Sequence, residues 1–359
     1  KEVVFGLAVT AVGLWVPHTA DACTGITLKS QDGATVLART IEWGGSYLNS
    51  RYVVVPRGYM QQSYVPGGQK NGLEFTAAYG YVGIAVELED FVADGLNEAG
   101  LAAGLFYFPR YGSYEAYDEG QRESTLSDLQ LVPWMLSQFK TVDEVKEALG
   151  TVHVVSSDPR ASTAHWRIAD ASGRQVVLEI VDGIPHFYEN ELGVLTNSPG
   201  FEWQMTNLNN YVNLYAGGAE AKPFGKVKLA AFGAGSGFLG IPGVVTPPSR
   251  FVRAAFYQTS SPVQATARKT VLQAFQILNN FDIPVGIEFP LGQVPCDIPS
   301  ATQWTSVTDM RNHVIYYRTM YNSVIRNIDL RSIDFSTVRY RAVSMDGTKR
   351  QAVETIKIE

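Results

Sequence analysis

Runs of strand-forming residues come in blocks along this chain, and helical spacing is confined to the stretches between them. The first block opens with CTGITLKS and ATVLARTIEW on either side of Gln31-Asp32-Gly33, β-branched residues flanking an Asp-Gly turn, which predicts a hairpin. It continues through YVVVP (52–56), LEFTAAYGYVGIAVEL (73–88) and GLAAGLFYF (100–108), with turns expected at Asp94-Gly95 and from Asn97 to Gly100. A helical stretch follows. Leu129, Val132, Leu136 and Phe139 recur at helical spacing, and Thr141 with Glu144 makes a Thr-x-x-Glu capping box for a helix carrying Val142, Val145 and Leu149. Further strands are expected at 165–170, 175–180, 184–189 and 194–197, then helices at about 201–212, 249–258 and 263–281, then strands at 303–309, 313–320 and 324–330. Blocks, in place of a regular strand–helix alternation, argue an α+β chain with antiparallel sheets.

No Ser/Gly/Pro-rich linker or charge block divides residues 23–359, so one domain is expected there. With 45% hydrophobic and 18% charged residues, it can bury a large core. The 29 Lys and Arg against 35 Asp and Glu leave a net charge of -6 and form no basic run. Nothing supplies the phosphate-neutralising surface of a nucleic-acid binder, and that partner is excluded.

Residues 3–16, VVFGLAVTAVGLWV, are apolar throughout, shorter than the roughly 20 residues that span a bilayer but suited to the h-region of a secretory leader. Ala20-Asp21-Ala22 places small residues where a leader peptidase needs them, so residues 1–22 are expected to be removed, with export to the periplasm or cell exterior. No stable membrane insertion of the remaining chain is expected. Two other readings of the run are a buried helix of the domain and a lipoprotein signal, although Ala20 and Asp21 are poor residues for lipid modification. Cleavage would make Cys23 the first residue. An N-terminal Cys carries its own base, since its α-amine can take the proton of its thiol, and this pairing is a known catalytic arrangement. Cys296, in VPCDIP, reads as an ordinary buried thiol.

Other motifs fall away. GAGSGFLGIPG (233–243) lacks the Lys-Ser/Thr ending of a phosphate loop, follows a helix-like AKPFGKVKLAAF, and reads as a loop. The five histidines never stand at metal-binding spacing and no C-x-x-C exists, so no metal site is expected. No G-x-S-x-G offers a serine-hydrolase elbow.

The chain resembles the choloylglycine hydrolases, the N-terminal-nucleophile family of bile salt hydrolases and penicillin V acylases. The likeness runs through CTGITLKSQDGATVLARTIEW, DGLNEAGLAAGLFYFP, HWRIADASGRQVVLE, GVLTNSPGFEWQMTNLNNY, PPSRFVRAAF and WTSVTDMRNHVIYYRTMYN. It implies a four-layer αββα sandwich of two antiparallel sheets flanked by helices, no cofactor, and a homotetramer. It puts the nucleophile on Cys23, an Arg that favours its thiolate on Arg39, and oxyanion donors on the Asn197 side chain and the Tyr107 backbone N–H. It puts a further Arg near the nucleophile at Arg250. The family's Asp falls on Glu42, one methylene longer, and Tyr107 stands where bile salt hydrolases often have Asn and some penicillin acylases have Tyr.

The activity implied is hydrolysis of the amide in glycine- or taurine-conjugated bile salts through a thioester. Phe106, Tyr107, Phe108, Tyr111, Tyr114 and Tyr117 would suit an apolar wall around a steroid, or equally a sheet core. Penicillin V deacylation by the same residues is one rival. A noncatalytic exported lipid-binding protein is another.

Overall fold

The opening hairpin is formed by β1 (Asp21–Lys29) and β2 (Thr35–Trp43), antiparallel in unbroken register, with Cys23 opposite Ile41 and Gly25 opposite Arg39. The computed structural model describes residues 21–157, 162–294 and 298–358, so the apolar run 3–16 and Cys296 lie outside the described residues. β2 pairs on its other side with Thr302–Asp309, and the sheet continues through Val314–Thr319 and Asn322–Asp329, all antiparallel.

An eight-stranded antiparallel sheet lies against this five-stranded one. Its spatial order is Ile184–Glu189, Gln175–Val181, Ala164–Ala169, Ala102–Tyr107, Val92–Asn97, Tyr81–Ala85, Arg51–Val55 and Arg341–Ser344. Val92–Asn97 and Ala164–Ala169 are buried at every residue. Covered on both faces, these strands bury their polar side chains as well, Asp94 and Asn97 on one and His165 and Arg167 on the other.

Helices α1 (Leu131–Gln138) and α2 (Val142–Leu149) cover the eight-stranded sheet, where Leu131, Trp134, Leu136 and Val145 pack with Ala103, Trp166 and Val176. Beyond α3 (Phe201–Asn207), α4 (Pro247–Ser260) and α5 (Ala267–Leu278) cover the five-stranded sheet, where Phe251, Val271 and Leu278 pack with Ile26, Val36 and Trp304. The result is the four-layer αββα sandwich. Among the described residues no helix is long and apolar enough to cross a membrane.

Several local readings need correction. Asp94-Gly95 is no turn: both residues lie inside Val92–Asn97, where pairing on both sides outweighs the local turn signal. The stretch 73–88 divides between Lys70–Thr76 and Tyr81–Ala85, which enter different sheets. The helix-like 221–232 instead holds two short paired strands, Lys222–Phe224 and Val227–Leu229, exposed throughout and so without the buried face a helix there would need. Arg341–Ser344 edges the large sheet with only four residues, too few to show a period. Thr141 does cap α2, its Oγ1 accepting from the Glu144 N–H at 3.2 Å, but Glu144 accepts from Lys140 N, one residue outside the cap.

The segment 194–197 is also no sheet strand. Leu195 makes a single two-bond bridge to Gly25 along the free edge of β1, Gly25 N to Leu195 O at 2.7 Å and Leu195 N to Gly25 O at 3.1 Å. That bridge carries Asn197 alongside Cys23.

Candidate active site

Cys23 sits near the start of β1, is 4% exposed, and points its sulfur between the two sheets. Arg39, opposite Gly25 on β2, donates from Nη2 to Cys23 Sγ at 3.0 Å. Its Nη1 donates to the carbonyls of Ala93, at 3.0 Å, and Leu105, and its guanidinium lies 4.1 Å above the Phe106 ring centroid. A side chain of the small sheet is thus fixed by two backbone carbonyls of the large one. The position of the thiol's cationic neighbour is set by how the sheets face each other.

Asn197 and Arg250 approach from the edge and from the helical layer. Asn197 Oδ1 accepts from Cys23 N and from Arg250 Nη2, each at 2.8 Å, and its Nδ2 donates to the Tyr107 carbonyl at 2.7 Å. The Tyr107 N–H is hydrogen-bonded to the Cys23 sulfur. Arg250, in the first turn of α4 and fully buried, donates from Nη1 to Cys23 O and, at 2.8 Å, to Thr24 Oγ1, and from Nε to Val245 O at 2.8 Å. Behind Asn197, the buried His165 ring stacks on Phe108, with Nδ1 3.1 Å from Glu179 Oε1 and Nε2 3.1 Å from Thr196 O.

Glu42 lies next to this group, paired in register with Ala22. It is 2% exposed; Thr302 Oγ1 reaches Oε1 at 3.3 Å, and Oε2 has no hydrogen-bond partner among the described residues. Burial pushes its carboxyl up to about 8, against the pull of Arg250, Thr40 and Arg39. Burial likewise raises the Cys23 thiol. Arg39, the Tyr107 N–H and Arg250 oppose that rise, and Glu42 adds to it.

The Glu42 shift has a measurable sign. Unfolded, the carboxyl releases its proton near its ordinary 4.5; folded, only near 8. Between those values the folded chain holds a proton that the unfolded chain has lost, so stability falls as pH rises through that window, by roughly a few kcal/mol. With residue 22 still attached to Cys23, urea unfolding at pH 5 and pH 8 is expected to show this loss, and Glu42→Gln is expected to flatten it. An unchanged slope in the variant would remove Glu42 as its source.

All six residues picked from the sequence therefore meet around Cys23: Arg39, Glu42, Tyr107, Asn197 and Arg250 each lie within one or two contacts of it. Sequence reasoning missed Thr24 and His165 behind Thr196, and it singled out Phe106 without foreseeing its place beneath Arg39. A single aromatic or His on a largely buried strand reads as ordinary core, and only the facing of the two sheets separates these from it. Of the two readings of the aromatic cluster, the sheet core holds for its buried members. Phe106 and Phe108 are buried in the core at 0% and 1% exposure, Tyr114 bonds Ala164 across to Trp166, and Tyr111 is exposed.

Residues 23–343 match the model of a family described as linear amide C–N hydrolases, choloylglycine hydrolase family. The chain is 33% identical to a bile salt hydrolase/transferase of Clostridium perfringens over 86% of this chain and 92% of that protein. It is 26% identical to a penicillin V acylase of Pectobacterium atrosepticum over 87% of this chain and 81% of that one. Among solved structures, a variant of the conjugated bile acid hydrolase from C. perfringens superposes with a TM-score of 0.79 at 28% identity, covering 93% of this chain and all of that one.

Proposed function

The chain belongs to the choloylglycine hydrolase family of linear amide C–N hydrolases, and on that premise we propose that it cleaves the amide of glycine- or taurine-conjugated bile salts through a thioester on Cys23. The observation that carries the proposal is the Cys23 sulfur held 3.0 Å from Arg39 while Asn197 and Arg250 bind the same residue's backbone. Such a constellation aims cationic and hydrogen-bonding groups at one thiolate.

Removal of residues 1–22 on export frees the Cys23 α-amine, and the site has a place for it. Glu42 Oε2, a buried carboxylate oxygen without a hydrogen-bond partner among the described residues, lies on the neighbouring strand, and an α-ammonium would supply one. The thiolate attacks the amide carbonyl carbon, and the tetrahedral oxyanion takes donors from Asn197 Nδ2 and the Tyr107 N–H. The C–N bond then breaks, the amino acid leaves with a proton from the α-ammonium, and the acyl group stays on sulfur. Water attacks the thioester and gives its proton to the α-amine. The carboxylic acid departs and the thiol is restored.

The homotetramer belongs to the same proposal: Phe224, Phe232 and Leu239, exposed on the excursion after α3, are apolar surface that a second copy would cover. A second substrate reading, penicillin V deacylation, is favoured by one residue, Tyr107. Purified protein whose first residue is read by mass spectrometry is assayed with a taurine-conjugated bile acid and with phenoxymethylpenicillin. A kcat/KM ratio of about tenfold or more for the bile salt is expected, roughly 1.4 kcal/mol of discrimination. A preference for the penicillin would overturn the substrate and keep the catalytic roles, whereas cleavage of neither, or a lipid adduct on Cys23, would favour a binding protein.

A further inference from the structure

Behind the nucleophile lies a buried charge cluster that the steps above do not use. Gly25, Arg39 and Ser306 form one cross-strand row on the five-stranded sheet, and Asp94, Gly104 and Arg167 form one on the eight-stranded sheet. The two rows face each other. Ser306 Oγ donates to Asp94 Oδ2 at 2.7 Å, and Arg167 Nη1 donates to Ile26 O at 3.1 Å and Ala38 O at 3.2 Å. Phe106 lies between two guanidiniums, Arg39 at 4.1 Å and Arg167 at 5.6 Å from its centroid.

Both glycines are needed for this approach. A Cβ on Gly104 would stand 2.7 Å from Asp94 Oδ1 and 3.5 Å from Arg39 Nη1, and one on Gly25 would stand 2.9 Å from Phe106 and 3.1 Å from Arg167 Nη1. The point that Gly104 leaves open is therefore shared by the Asp94 carboxylate and the Arg39 guanidinium. Asp94, Arg39 and Arg167 are at most 6% exposed, so their charges act on one another with little screening by water.

We propose that Asp94 and Arg167 are positioning residues for the reaction: as two buried charges of opposite sign beside Arg39, they set how much of its charge reaches the Cys23 thiolate. The proposal deepens the reading of Cys23 as nucleophile and rests on it. Asp94 attracts Arg39 from the side away from sulfur, and Arg167 occupies part of that attraction. The groups facing Cys23 are Arg39, Glu42, Arg250 and the Tyr107 N–H; those facing Asp94 are Arg39, Arg167 and Ser306. The two substitutions then act in opposite directions. Without the Asp94 charge, Arg39 faces sulfur uncompensated and the thiolate is favoured. Without Arg167, the Asp94 charge falls wholly on Arg39 and the thiolate is disfavoured.

The test reads the sulfur directly and needs no substrate, so a wrong substrate class leaves it intact. Iodoacetamide alkylation of Cys23 is followed against pH by peptide mass spectrometry, which separates Cys23 from Cys296, on folded protein. Asp94→Asn is expected to lower the midpoint by roughly half a pH unit or more, Arg167→Gln to raise it by as much, and the double variant to return it toward the parent. Midpoints that stay fixed, or that both move the same way, would overturn the proposal, since a purely structural role predicts no opposed shifts. If Asp94→Asn yields no folded protein, Arg167→Gln decides alone: a rise supports the proposal and an unmoved midpoint rejects it.

Discussion

Cys23→Ala is expected to lower kcat by about 10⁴ or more and to leave a folded chain. The loss is large because nothing else at the site can form the acyl intermediate. The groups around the sulfur are guanidiniums, an amide, a backbone N–H, one carboxyl and the Thr24 hydroxyl, which accepts from Arg250 and ionises far less readily than a thiol, so none is a comparable nucleophile. The fold survives because the side chain removed is small and Arg39 keeps both carbonyl acceptors, Ala93 O and Leu105 O. One donor, Nη2, loses its sulfur, at a cost of about 1–3 kcal/mol. Cys23→Ser separates shape from chemistry: it keeps a hydrogen-bond acceptor for Arg39, but a hydroxyl beside a weak base ionises far less than a thiol, so its activity is expected to stay near the Ala level. Hydrolysis is measured at steady state beside thermal unfolding of each variant. Turnover by folded Cys23→Ala within tenfold of the parent would end the assignment of Cys23 as nucleophile.

Where sequence reasoning succeeded and failed follows from the range over which each feature is decided. The β1–β2 hairpin is legible because its turn residues and its β-branched flanks are all local, and the hairpin by itself brings Arg39 within reach of the Cys23 strand. The helices are legible for the same reason: a 3.6-residue period and the Thr141 cap lie within one short window. Asp94-Gly95 shows the opposite case. In isolation an Asp-Gly pair is turn chemistry, yet here it lies mid-strand because Asp94 meets Ser306, which is 212 positions away in sequence, and Gly95 fits under Leu136 of α1. Asn197 was picked out by resemblance and mistaken in local structure. The bridge from Leu195 to Gly25 that delivers it depends on β1 having a free edge, a fact of sheet order that no window of sequence contains.

Arg39 is where these two ranges meet, and its removal is the second large effect expected. The side chain is fully buried, so Arg39→Met keeps most of its volume while withdrawing a charge and every donor. The thiol then lacks its strongest opponent to burial, and the acid limb of kcat/KM is expected to move up by about 1–3 pH units, with a drop at neutral pH of roughly 10²–10³-fold. Lysine is not expected to rescue it. An ammonium at the end of a flexible stem cannot donate to Cys23 Sγ, Ala93 O and Leu105 O together as the planar fork does, nor lie flat on Phe106. The comparison with Asp94→Asn is informative because both variants change the same field in opposite directions: one deletes the cation facing sulfur, the other frees it. Wild-type activity in a folded Arg39→Met protein, with its pH profile unmoved, would show that the Tyr107 N–H and Arg250 suffice to hold the thiolate, and the inter-sheet charge cluster would then have no route to the chemistry.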